Sequence, residues 1–139
     1  MRNQPAIAPD ESEIRRILEL WARSTRTGAQ DLVLKDFHPD ALIYDVLAPM
    51  KYEGTEAYRQ SWDEWQPETE GEGVFDLESL AITAGTEVAF ATAFIRCGGT
   101  MADGRTFEDL VRATFGLLKE VDDWKIVHSH VSRPVQRSA

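Results

Sequence analysis

Apolar side chains recur at Ile14, Ile17, Leu18 and Trp21, the i, i+3, i+4, i+7 stripe of an amphipathic helix that turns one face to a core. Asp10 followed by Glu13 has capping-box spacing, with Asp in place of Ser or Thr, and Gly28 supplies a stop. A second short helix is predicted over Asp31–Phe37, closed by a turn at His38-Pro39-Asp40, because a proline disfavours helix in the residue before it. Ala41–Asp45 reads as a short strand. Thr55, following Gly54, can cap a third helix that carries Tyr58, Trp62 and Trp65 and that Pro67 closes.

From residue 72 the period of the pattern shortens to two. Strands are predicted over Glu72–Thr83, Glu87–Arg96, Arg105–Lys119 and Trp124–Arg133. The turns between them fall at Ala84-Gly85, at Gly98-Gly99 with Asp103-Gly104, and at Asp122-Asp123. Helices first and a meander afterwards is the α+β pattern. Strands of this length must twist and can curl, so helices packed on the inner face would enclose a cone-shaped cavity. The expected fold is α+β: a strongly curved mixed or antiparallel sheet wrapped around three N-terminal helices. The domain is placed at residues 10–134, with a loose leader at 1–9 and a tail at 135–139.

The last predicted strand carries the most chemistry. With strict alternation, Trp124, Ile126, His128, His130 and Ser132 share one face, and Lys125, Val127, Ser129, Val131 and Arg133 the other. A face that begins apolar and ends in two imidazoles and a hydroxyl reads as a pocket wall. The two histidines can serve as acid/base groups, as half of a metal site or as structural hydrogen-bonding groups.

Composition narrows the function classes. The 139 residues suit one domain with a substantial core. With 24 acidic and 15 basic residues the net charge is −9, which argues against a broad nucleic-acid or anionic-membrane surface. No apolar run reaches the roughly 18–20 residues of a membrane span, and the first residues lack the apolar core of a signal peptide. One cysteine, Cys97, cannot form an internal disulfide, which suits a reducing, cytoplasmic setting. No HExxH, H-x-x-E-H or Cys/His spacing marks a metal site, and no glycine elbow surrounds a serine nucleophile.

Two local patterns bring a family into view. One is Phe37-His38-Pro39-Asp40-Ala41-Leu42-Ile43-Tyr44-Asp45, followed by Gly54 and the Thr55 helix. The other runs from Arg112-Ala113-Thr114 through Asp123-Trp124-Lys125-Ile126-Val127-His128-Ser129-His130-Val131-Ser132-Arg133-Pro134. With the element order, over roughly residues 10–134, the chain resembles the nuclear transport factor 2-like superfamily. Its C-terminal pattern is similar to the SnoaL-like subgroup often called ketosteroid isomerase homologues. The resemblance implies a cofactor-independent isomerase, cyclase or dehydratase acting on an apolar carbonyl compound. It puts Asp45 where the isomerases carry their general base, and a perturbed carboxylate there can move a proton next to a carbonyl. The chain departs from the isomerases at Trp21, where a tyrosine donor is needed. It also has Arg112 and Thr114 near the place of the partner acid, so steroid isomerisation itself is not expected.

Against this background Asp45 and His130 are the candidate catalytic pair. Trp21, Tyr58, Trp62, Arg112, His128 and Ser132 are candidate substrate-binding residues. Each has a plainer reading: a solvated strand-end carboxylate, structurally bonded histidines, an Arg112–Glu108 surface ion pair, and an aromatic core stripe. The other class of function open to the same architecture is a non-catalytic ligand-binding or oligomerisation module, as in the association domain of a calmodulin-dependent kinase. The expected partners are a small apolar ligand and a second copy of the chain, docked through the sheet face away from the helices. No metal or cofactor, nucleic acid or membrane is expected.

Overall fold

In the computed structural model the described residues are 9–64 and 69–137. The predicted roles of Trp65 and Pro67, most of the leader and the last residues of the tail lie outside them. The elements run α1 (Pro9–Thr27), α2 (Gln30–Val33), β1 (Phe37–Tyr44), β2 (Tyr52–Glu53), α3 (Thr55–Glu64), β3 (Thr69–Ala84), β4 (Val88–Met101), β5 (Thr106–Glu120) and β6 (Asp123–Ser132). The strands form one open, mixed sheet in the order β2-β1-β6-β5-β4-β3. Its single parallel pair joins β1 to β6, and every other pairing is antiparallel. The fold is α+β, with the helices on one side of the sheet.

The stripe on α1 does what its spacing predicts. Ile14, Ile17 and Leu18 are at most 2% exposed and pack with Ile95, Phe115, Leu117, Trp124 and Ile126 of the sheet. Burying each of these large side chains contributes about 1.5–3 kcal/mol. Gly28, at φ 77°, ends the helix, and the Ala29 N–H returns to the Ser24 carbonyl at 2.9 Å. The predicted capping box is replaced by tertiary bonds. The helix already begins at Pro9, and Asp10 Oδ1 accepts from Lys119 Nζ and from Trp124 Nε1, both at 2.9 Å. Glu13 accepts from the Trp124 backbone N–H at 3.3 Å. The two carboxylates therefore clamp α1 to the β5–β6 hairpin.

Three other expectations are corrected. The second helix stops at Val33 instead of reaching Phe37, because the chain pairs with β6 from Asp36 onward. The Ile126 N–H donates to the Asp36 carbonyl at 2.9 Å, and Phe37 is buried opposite Ile126. His38-Pro39-Asp40 is then no turn but an irregular stretch of β1. Phe37 pairs with Ile126 and Leu42 with His128, so the residues between bulge away and proline leaves no ladder bond broken. Gly98 and Gly99 lie within β4, and the turn falls later, before Gly104 at φ 89°. A Cβ at Gly98 would sit 2.2 Å from the Phe107 carbonyl oxygen, so glycine is required by the close approach of β5.

One further correction decides the site. Gly116 of β5 pairs with His128, and the next residue, Leu117, pairs with Ile126. Val127 is thus the extra residue of a β-bulge, and it reverses the alternation of β6. Trp124 and Ile126 face the helices, as do Ser129 (4% exposed), opposite Phe115, and Val131, opposite Ala113. His128, His130 and Ser132 emerge on the outer side, opposite Gly116, Thr114 and Arg112. The single face inferred from strict alternation is divided between the two sides of the sheet.

Candidate functional site

On the helix side, the end of β1 delivers Asp45 to the foot of α3. Its Oδ1 accepts from the Val46 N–H at 2.7 Å, and its Oδ2 accepts from the Tyr58 hydroxyl at 2.9 Å. Gly54, at φ 95°, sets the start of α3 by donating its N–H to the Ala41 carbonyl at 2.8 Å. Tyr58 is then one turn into the helix and Trp62 one turn further, on the same face. Their rings meet edge-on at 5.6 Å, and Tyr52 of β2 closes on Tyr58 at 5.1 Å.

Tyr58 thus donates to Asp45 from between the rings of Tyr52 and Trp62. Burial first, and the Asp45 charge second, push the Tyr58 phenol well above its ordinary value of 10.0. Tyr58 is therefore a neutral donor throughout the physiological range. Asp45 uses one lone pair on each oxygen, which leaves about two of the roughly four acceptor sites of a carboxylate open. The arrangement can hold a carboxylate at a fixed position beside aromatic walls and offer it to a proton.

Trp21 takes a different place. Its ring meets Phe75 at 5.3 Å and Phe115 at 5.1 Å, both edge-on, so it packs the core between α1 and the sheet. The small hollow it borders with Ile17, Val33, Phe37 and Ile126 has no room for a water molecule.

The outer side carries the remaining candidates. Tyr44, which sequence reasoning did not single out, pairs with His130 and sets its ring edge-on to His128 at 4.9 Å and to His130 at 5.2 Å. His128 Nδ1 lies 2.7 Å from the Leu42 carbonyl oxygen. A carbonyl only accepts, so Nδ1 carries the proton and the other ring nitrogen is left for a partner. Arg112 Nε donates to Ser132 Oγ at 2.9 Å. The expected partner Glu108 instead binds Arg96, which it shares with Glu78.

A shallow hollow of about 400 Å³ lies between these groups, bordered by Ser79, Thr92, Arg112, Thr114, His130 and Ser132, with Phe94 as an apolar wall. The structure thus brings Asp45, Tyr58 and Trp62 together on one side, and Arg112, His128, His130 and Ser132 on the other. It does not bring Asp45 and His130 to a common volume. Among the described residues no three His, Cys, Asp or Glu side chains converge as a metal-binding group, and no helix is long and apolar enough to cross a membrane. Burial, and Asp109 nearby, raise the Cys97 thiol above its ordinary value, which works against a thiolate.

Two signals for this division were present in the sequence. Ile126 and Val127 are adjacent apolar residues within an alternating run, and Val131 lies off the parity of Trp124, the mark of an inserted residue. Tyr44 and Tyr58 are separated by a loop that no periodicity spans, so their separate partners had no sequence signal.

The family profile for the SnoaL-like domain matches residues 14–136, and the chain belongs to that family. Among solved structures, an NTF2-like protein of unknown function from Pseudomonas putida superposes with a TM-score of 0.81 at 28% identity, over 91% of this chain and 88% of that one. A protein from Novosphingobium aromaticivorans, described as a candidate aromatic ring hydroxylase, gives 0.76 at 19% identity, over 96% and 94%. The association domain of a calmodulin-dependent kinase from C. elegans gives 0.69 at 13%, over 89% and 95%. The latter two identities carry the fold alone, the cone architecture of NTF2-like proteins. No curated protein gives a significant match.

Proposed function

We propose that this SnoaL-like protein binds a small apolar carbonyl compound on the helix side of the sheet, and that Asp45 exchanges a proton with it in a cofactor-independent isomerase-, cyclase- or dehydratase-type step. The observation that carries this reading is the hydrogen bond from the Tyr58 hydroxyl to Asp45 at the end of β1. A carboxylate that only closed a loop would need no phenol hydroxyl directed at it, whereas a base must be held in place while retaining free lone pairs. Tyr58, kept neutral, is the donor that can follow the charge: when Asp45 takes a proton, the phenol can turn its hydrogen to the substrate oxygen. In this reading the second group is Tyr58 on the same side, in place of His130.

The chemistry can be tested with generic carbon acids in place of the natural substrate. Exchange of α-hydrogens in a panel of apolar ketones in D2O, followed by proton NMR, reports carbon-acid activation directly. Wild-type protein should accelerate exchange for at least one ketone, and Asp45→Asn should lower that rate by roughly 10²–10⁴-fold with an unchanged circular dichroism spectrum. Equal rates in the two proteins would overturn the assignment.

A second reading is supported by a separate observation. Val88, Phe90, Phe94, Leu110 and Leu118 all stand on the outer side of β4 and β5 and are 40–61% exposed. An apolar row of this kind on a sheet face fits a homodimer, which would cover it in both copies. Light scattering should then give twice the 15.7 kDa chain mass for the wild type and the single-chain mass for Phe90→Glu. A monomeric wild type at high micromolar concentration would remove this reading.

A further inference from the structure

We infer that the hollow on the outer side of the sheet is a binding site for a small organic carboxylate, held by Arg112. The inference does not rest on the Asp45 reading, since the two sites lie on opposite sides of the sheet; it is the alternative to the homodimer at this face, because Phe94 borders the hollow and would be covered in a dimer. The first support is electrostatic. On a protein with net charge −9, no carboxylate among the described residues borders this hollow of about 400 Å³, although Arg112 and His130 both do. A volume of that size falls within the range of small-ligand pockets.

The second support is how Arg112 is held. Arg96 of the neighbouring strand β4 meets two carboxylates, and Arg133, just after β6, meets one. Arg112 has none among the described residues; its Nε is fixed by Ser132 Oγ at 2.9 Å. Fixing Nε leaves the two terminal nitrogens free. A guanidinium restrained in this way loses little entropy when two oxygens of one ligand bind it in parallel.

The third support is the rest of the wall. Thr92 and Thr114 are cross-strand partners, and Thr114 faces His130 across β6, so hydroxyls and an imidazole surround the open end of the arginine. Ser79, at φ 56°, lies at the irregularity between Glu78 and Ala81 of β3 and borders the same hollow. Phe94, directly opposite Arg112, gives an apolar flank. One permanent cation, several neutral donors and one aromatic ring suit a monoanion with a hydrocarbon body better than a phosphate dianion, which would require a second fixed cation.

The experiment uses the full chain with benzoate as the probe, and with benzyl alcohol and inorganic phosphate as comparators. Calorimetry is paired with NMR shifts at the amides of Arg112, Thr114, His130 and Ser132. Benzoate should bind and move these amides, and benzyl alcohol and phosphate should bind at least about tenfold more weakly. Arg112→Met should weaken benzoate by roughly ten- to a hundredfold, the loss of a charge-assisted contact. Arg112→Lys should fall between the two, and Asp45→Asn should bind as wild type does. Equal binding of benzoate and benzyl alcohol, or unchanged benzoate binding in a folded Arg112→Met variant, would overturn the proposal. So would absence of benzoate binding; if it came with a halved mass for Arg112→Met, the occupant would be a carboxylate of a second copy.

Discussion

Replacing Tyr58 by Phe removes one oxygen and tests the bond that positions Asp45. The hydroxyl donates to a carboxylate at 2.9 Å, a bond to a charged group worth about 1.5–3 kcal/mol. Tyr58→Phe should therefore lose roughly 1.5–3 kcal/mol, which at about 3 °C per kcal/mol for a domain of this length lowers Tm by roughly 5–9 °C. A double-mutant cycle with Asp45→Ala isolates the pair, and the coupling measured by urea unfolding should be at least about 1.5 kcal/mol.

A high-pH arm gives an independent readout. Tyr58 has a folded pKa raised above its unfolded value near 10. Its contribution is present in full below pH 10 and is lost as pH rises beyond it, because the unfolded chain then gives up a proton that the folded one keeps. Wild type should lose about 1.4 kcal/mol per pH unit above pH 10 relative to Tyr58→Phe. A coupling below about 0.5 kcal/mol, with parallel pH curves for the two proteins, would refute the placement of the phenol on Asp45.

Two further outcomes follow from the fold. Gly98→Ala should destabilise the protein by about 2–4 kcal/mol in urea unfolding, since its methyl group would meet the Phe107 carbonyl of the neighbouring strand at 2.2 Å, and backbone cannot move aside as a side chain can. Asp10 has its pKa lowered, first by the hydrogen bond from Lys119 and then by that from Trp124. Its contribution is present above the ordinary carboxyl value of 3.8 and is lost as pH falls below it, so an acid titration of stability should be shallower in that window for Asp10→Asn than for wild type.

The helices on one side, the long strands and their approximate order were legible because each depends on local periodicity. Ile14, Ile17 and Leu18 are buried as their spacing requires, and α1 ends at Gly28 where the chain needs a positive φ. That Tyr58 and Trp62 share one face of α3 was legible from their spacing. That Tyr58 bonds to Asp45 was not, because the two are separated by thirteen positions and by a strand, β2, too short to leave a pattern. The short reach of α2 and the carboxylate clamp on Trp124 were hidden for a related reason: in both, a tertiary hydrogen bond displaces a local preference.

The last strand separates the two kinds of information most clearly. Sequence by itself determined that residues 124–132 form a strand, that Trp124 and Ile126 are core, and that the chain is SnoaL-like. Only tertiary structure decided which side His128, His130 and Ser132 occupy. Alternation fixes the face of each residue only relative to its neighbours, and one extra residue at Val127, accommodated between Gly116 and Leu117 of the adjoining strand, inverts everything after it. That inversion places the histidines beside Tyr44 and Arg112 on the outer side and leaves Asp45 to Tyr58.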